Sequence, residues 1–207
     1  MSEPASAHDR AVVAAQLGRF PRGTRAVAHR CPCGLPDAVE TTPRLADGTP
    51  FPTLFYLTCP RATAACSRLE SNGTMRTMSA RLSEDPDLAA GYLAAHEDYL
   101  ARRTAIMEVP EIEGTSAGGM PSRVKCLHVA LAHRLGAGPG VNPIGDEVYD
   151  LVEPWWHAGP CVIVPDPDAA TDPAATSDAT AATDPAATDP AVTSGTEAGS
   201  ADAPAAS

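Results

Sequence analysis

Cysteine, histidine and arginine side chains crowd two stretches of this chain. The first, Arg30 to Pro60, reads RCPCGLPDAVETTPRLADGTPFPTLFYLTCP, and the second, Gly119 to Gly136, reads GMPSRVKCLHVALAHRLG. In Cys31-Pro32-Cys33 an extended backbone would point both thiols the same way, near enough to chelate one ion, with His29 on the same face. Cys59 and Cys66 would complete a tetrahedral set, for which zinc is the default metal. The spacing is not the Cys-x2-Cys pair of structural zinc modules, and cysteine is among the residue types most often buried. Three readings stay open: metal ligands, inert buried thiols, and a reactive thiol activated by a neighbouring arginine.

Geometry limits the second stretch. If Cys126 and His128 both lie in a helix, they point to opposite faces and cannot share an ion. Cys126 and His133 share a stripe but stand about two turns, roughly 10 Å, apart. Each can contribute to a pocket, and each histidine alone reads equally as a hydrogen-bonded packing residue. Arg30, Arg68 and Arg123 lie beside these segments, as do Arg61 and Arg134. Guanidinium groups so placed suit a phosphate or carboxylate ligand, the alternative being surface ion pairs.

Other motifs exclude more than they suggest. Gly114 to Gly118 (GTSAG) matches the G-x-S-x-G nucleophile elbow as a string, but that motif works only at a strand-turn-helix corner, and here it sits in a predicted loop. No cysteine has an arginine six residues later, as the loop of cysteine phosphatases requires, and no Gly-Lys-Ser/Thr marks a phosphate-binding loop. His96-Glu97 is not followed by a histidine at position 100, so the H-E-x-x-H zinc motif is absent.

The elements that must position these groups follow from periodicity. Asp9 to Leu17 predicts a short helix with Asp9 as N-cap and Gly18 as stop. Thr24 to Arg30 alternates as a half-buried strand, Ala38 to Thr42 forms a second, and Thr53 to Thr58 (TLFYLT) a third, with Asp47-Gly48 as a hairpin signal. Helices are predicted over Arg61 to Leu69 and Met75 to Leu82. A long one starts at an Asp85 N-cap with Pro86 at N1, runs to about Met107, and carries Leu88, Tyr92, His96, Tyr99 and Arg103 on one face. Ser122 caps a helix through Leu135, whose apolar stripe is Val124, Leu127, Leu131 and Leu135, and a helical turn is expected at Glu147 to Val152.

Composition divides the chain. Of the formal net charge of −11, eight negative charges fall in the Ala/Thr/Asp/Pro-rich stretch from Asp166 onward, which has no basic residue, so the remainder carries −3. The expectation is one α+β domain over residues 7–162, a small antiparallel sheet of about three strands covered by helices. Residues 163–207 form a disordered acidic tail that cannot bury enough apolar surface to order itself. A nearly balanced domain with an acidic tail argues against nucleic acid, which needs clustered positive charge. No apolar run is long enough to span a bilayer, and the N-terminal MSEPASAHDR lacks the apolar core of a secretion signal, so a cytoplasmic location is expected.

The pieces RCPCGLP, TPRLADGTPFPTLFYLTCP, SRLESNGTM, AHEDYLARR, GMPSRVKCLH and AHRLGAGPGVNPIGD, in that order, resemble the bacterial domain-of-unknown-function family 501 from about residue 9 to residue 150. The resemblance implies a small bacterial intracellular protein without assigned activity, and it carries over no catalytic residue. The leading expectation is a protein that binds a metal ion, zinc by default, or a small anionic ligand. The metal ligands would be drawn from Cys31, Cys33, Cys59, Cys126, His128 and His133, and the anion contacts from Arg30, Arg68 and Arg123. Two alternatives accompany it. One is an enzyme on a phosphorylated or carboxylated small molecule with Cys59 or Cys126 as nucleophile. The other is a non-catalytic adaptor in envelope or division assembly that docks a protein partner through Trp155-Trp156 and the long-helix face.

Overall fold

A computed structural model describes residues 2–152 and 154–165. The expected disordered tail, 163–207, falls outside the described residues beyond position 165. The described part is α+β, as expected. Its sheet has the order β1-β2-β3-β4, every neighbouring pair antiparallel, with β1 at Glu3–Pro4, β2 at Thr24–Arg30, β3 at Pro36–Thr41 and β4 at Phe55–Leu57. The helices are α1 (Ala7–Leu17), α2 (Pro60–Ser71), α3 (Thr74–Glu84), α4 (Pro86–Ile106), α5 (Leu127–Ala137) and α6 (Pro143–Leu151), with a short 3-10 turn at Pro110–Ile112. Among the described residues no helix is long and apolar enough to cross a membrane.

Strand β1 is the addition to the expected three. Two residues carry no alternation to read, yet Glu3 and Pro4 pair with Val27 and Ala26 across the free edge of β2. Helix α1 also begins earlier than Asp9. Ser6 is its N-cap, accepting from Asp9 N–H, while the Asp9 carboxylate accepts from Ser6 N–H, so Asp9 is the third residue of a capping box. Asp9 then receives both terminal nitrogens of Arg30, at 2.8 and 3.0 Å, which ties α1 to the end of β2.

The core lies between the sheet and the helices. Phe55 of β4 packs edge-on to Tyr99 of α4 and stacks on His133 of α5, and Tyr99 accepts the Leu54 N–H through its hydroxyl at 2.6 Å. Tyr92, Ala95, Tyr99 and Arg103 form the buried face of α4, in agreement with the three- and four-residue steps of the sequence. Asp85 caps α4 by accepting from Asp87 and Leu88 N–H. Arg103 is buried, and its guanidinium donates to the carbonyls of Pro52, Ile112 and Thr115, which pins the loop after the 3-10 turn against α4. Burial lowers its pKa.

The largest departure from sequence expectation is the start of α5. Ser122 does not cap a helix: residues 122–126 run without regular structure and the helix opens at Leu127, with Cys126 an extended N-cap residue at φ −154°, ψ 115°. No side chain of its own caps this end. Instead Glu70, near the end of α2, accepts the Leu127 N–H at 2.7 Å. A carboxylate at a helix N-terminus satisfies an orphan donor and meets the positive end of the helix dipole.

Candidate functional site

The late start of α5 changes which ligands can meet. The two-residue helical separation that would have sent Cys126 and His128 to opposite faces does not apply, because Cys126 lies on extended backbone just outside the helix. Its sulfur stands 3.7 Å from His128 Nδ1, and Glu70 Oε1 stands 3.0 Å from the same nitrogen. Glu70, Cys126 and His128, all half-buried, offer three ligand atoms within 4.8 Å of one another. Among the described residues they are the one group of three His, Cys, Asp or Glu side chains close enough to hold an ion.

Helix α2 supplies the wall of this site. Thr63, Ser67 and Glu70 recur at four- and three-residue steps and so share one face. The other ring nitrogen of His128, Nε2, faces the Thr63 carbonyl at 3.1 Å and the Ser67 hydroxyl at 3.3 Å. A carbonyl can only accept, so Nε2 carries a proton and Nδ1 is the nitrogen left to a proton or a metal. Without a metal, Nδ1 faces a carboxylate and a sulfur, and the ring favours the imidazolium. The Cys126 contact raises the His128 pKa, burial opposes the rise, and the Glu70 charge adds to it, for a value of about 9. Cys66, one turn before Glu70 on α2, is fully buried, and desolvation pushes its thiol up to about 12.

The other sequence candidates go elsewhere. Cys31 and Cys33 lie side by side in the turn after β2, and burial pushes Cys31 up to about 12. Cys59, the N-cap residue of α2, lies beside Cys161. That contact, the Gln16 amide 3.3 Å from the Cys161 sulfur and the Arg61 charge lower the Cys161 thiol, while the same contact and burial raise Cys59. Among the described residues neither cysteine pair joins a third ligand. His29 turns to Asp37, whose buried carboxylate lies 2.7 Å from its Nδ1 and whose pKa burial raises.

His133 is a core residue. Its ring is fully buried between Phe55 and Tyr99, Nε2 faces Asp98 at 3.1 Å, and Nδ1 accepts from the Asn142 amide at 3.2 Å. One nitrogen donating and one accepting defines a neutral ring, and desolvation lowers its pKa further. Of the arginines, Arg30 is committed to Asp9 and Glu3. Arg68 lines a surface groove with Arg61, Trp155 and His157, and Arg123 lies beside Gly119. Ser116 of the GTSAG string is in the loop after the 3-10 turn, without a strand before it or a helix directly after it.

A family model matches residues 27–150, more than half of the chain. The chain belongs to the family described as protein of unknown function DUF501. The DUF501 match runs from within β2 to within α6 and therefore covers all three members of the Glu70–Cys126–His128 cluster. No curated protein and no solved structure matches the chain.

Sequence reasoning selected Cys126 and His128 but passed over Glu70, one of 26 acidic residues. Its signal was positional: with Thr63 and Ser67 it lies on the polar face of α2 that meets α5.

Proposed function

We propose that this protein binds one divalent metal ion, zinc by its donors, through Glu70, Cys126 and His128, with a fourth position open to solvent or a small ligand. The observation that carries the reading is the fixed orientation of His128. Its Nε2 is occupied by the Thr63 carbonyl, so Nδ1 is aimed between the Cys126 sulfur and the Glu70 carboxylate. Metal-ligating histidines commonly donate their second ring N–H to a carbonyl or carboxylate in this way.

The spacing fits. Tetrahedral zinc, with a Zn–S bond of about 2.3 Å and a Zn–N bond of about 2.0 Å, separates sulfur from nitrogen by about 3.5 Å. The observed 3.7 Å needs almost no adjustment. The 3.0 Å between Nδ1 and Glu70 Oε1 is that of a proton-sharing pair, and the carboxylate swings outward by a few tenths of an ångström when an ion replaces the proton. Thiolate, imidazole and carboxylate together suit zinc over magnesium or calcium, which take oxygen ligands. A reducing compartment such as the cytoplasm keeps Cys126 available as a ligand.

Calorimetric titration of the full-length, chelator-treated chain with zinc chloride tests the reading. One site per chain is expected, weakened tenfold or more by Cys126→Ser and by His128→Ala, and unaltered by Cys31→Ser. Equal binding by all four proteins would refute it.

A further inference from the structure

The loop that Arg103 holds against α4 forms a second pocket. It is lined by His96, by residues 114–121 and by Lys125. Among the described residues no carboxylate lines it. Lys125 is the chain's sole lysine, and among the described residues it forms no ion pair. Ser116 is nine-tenths buried and holds its hydroxyl 2.8 Å from His96 Nδ1. When that nitrogen carries the ring proton it donates to Ser116 Oγ, and the hydroxyl then donates to the Met120 carbonyl at 3.4 Å, a long bond that a closer ligand oxygen would replace.

The backbone of the same loop is rich in unused donors. Thr115 N–H donates to the Ile112 carbonyl and Met120 N–H to that of Ala117, but the four N–H groups between them, of Ser116, Ala117, Gly118 and Gly119, meet no protein acceptor among the described residues. Backbone donors are paired almost everywhere in folded proteins, and a run of unpaired ones in a concave loop is a familiar cradle for anions. Gly118 and Gly119 turn the loop at φ +69° and +92°. A Cβ at Gly119 would lie 2.5 Å from the Arg123 carbonyl oxygen, so the position admits glycine alone.

We propose that this pocket binds a small oxyanion, a phosphate or carboxylate group, through the Ser116 hydroxyl, the N–H groups of residues 116–119 and the Lys125 ammonium. His96 positions the Ser116 hydroxyl. The site is separate from the cluster at Glu70. Cys126 is extended, so the side chains of Lys125 and Cys126 leave the chain on opposite sides, one toward the loop and one toward α2.

Amide NMR of the full-length chain tests this, with inorganic phosphate and acetate as separate titrants. Saturable shifts of the Gly118 and Gly119 amides are expected with at least one of them, and the stronger response assigns the group as phosphate or carboxylate. Lys125→Met and Ser116→Ala should each weaken that binding, Lys125→Met by about tenfold, with the remaining amide pattern retained as proof of folding. Loop amides that stay put with both titrants would overturn the proposal. So would shifts confined to the Arg61 and Arg68 groove, or affinities unchanged in both variants.

Discussion

Asp9 shows how much one side chain can carry. Burial raises its pKa, but the Arg30 hydrogen bonds, the Ser6 N–H and hydroxyl, and the Arg30 charge outweigh burial and hold it at about 2, below its ordinary 3.8. A carboxyl depressed in the folded state contributes its full stabilisation above the unfolded pKa and loses it as pH falls through the folded one. The contribution is about 2 kcal/mol at neutral pH, lost between roughly pH 4 and 2. Asp9→Asn should therefore lower stability by about that amount at pH 7 and almost nothing at pH 2, as read by urea unfolding at the two pH values. Equal losses at both would show that the capping box, and not the ion pair, dominates. At this scale the sequence was informative about residue types and poor about partners. Cys126 and His128 stood out by type, whereas Glu70 and Asp37 were two acids among many, and only the packing of α2 on α5 and the β2–β3 hairpin gives them partners. The priority given to Cys31 and Cys33 rested on their adjacency, which the structure turns into a side-by-side pair with no third ligand among the described residues.

Helices were the most legible elements. Periodicity and the Asp85-Pro86 start placed α4 within a residue or two of its ends, because a long amphipathic repeat with an N-cap leaves few alternatives. Helix α5 was misplaced at its start because Ser122 is a good local cap, and the cap actually used, Glu70, is supplied by another helix. Glu70→Gln should accordingly reduce stability by about 1 to 3 kcal/mol, since the amide meets Leu127 N–H without charge and leaves His128 with one fewer acidic neighbour; chemical denaturation reads this directly. Close packing is a second thing that periodicity hides. A methyl group at Gly145 in α6 would press into the Ala130 carbonyl oxygen and lie 2.9 Å from Arg134 Cβ of α5. Gly145→Ala should cost about 1 to 3 kcal/mol despite the better helix propensity of alanine, measured as a fall in the unfolding midpoint. An unchanged midpoint would mean that α5 and α6 separate freely to admit the methyl.

For the whole molecule, the core shared by β4, α4 and α5 predicts joint unfolding. Trp155 is buried against Tyr149 and reports on the segment after α6. Its fluorescence and the far-ultraviolet circular dichroism should therefore give coincident urea transitions, whereas an earlier fluorescence change would show that the Trp155-Trp156 segment comes away first. Fold class was legible because all four strands end by residue 57 and every helix but α1 follows them, so the change from alternating to helical periods is read once along the chain. The candidate site was less so, since it joins residues 56 and 58 positions apart that no local pattern connects. The central claim is that metal sits at Glu70, Cys126 and His128. Zinc-edge X-ray absorption on the zinc-loaded full-length chain tests it most directly. The account predicts a single sulfur at about 2.3 Å with the remaining ligands nitrogen and oxygen at about 2.0 to 2.2 Å. Two or more sulfur ligands would place the ion at the Cys31, Cys33, Cys59 or Cys161 thiols instead, and none would remove Cys126 from the site; either result contradicts the account.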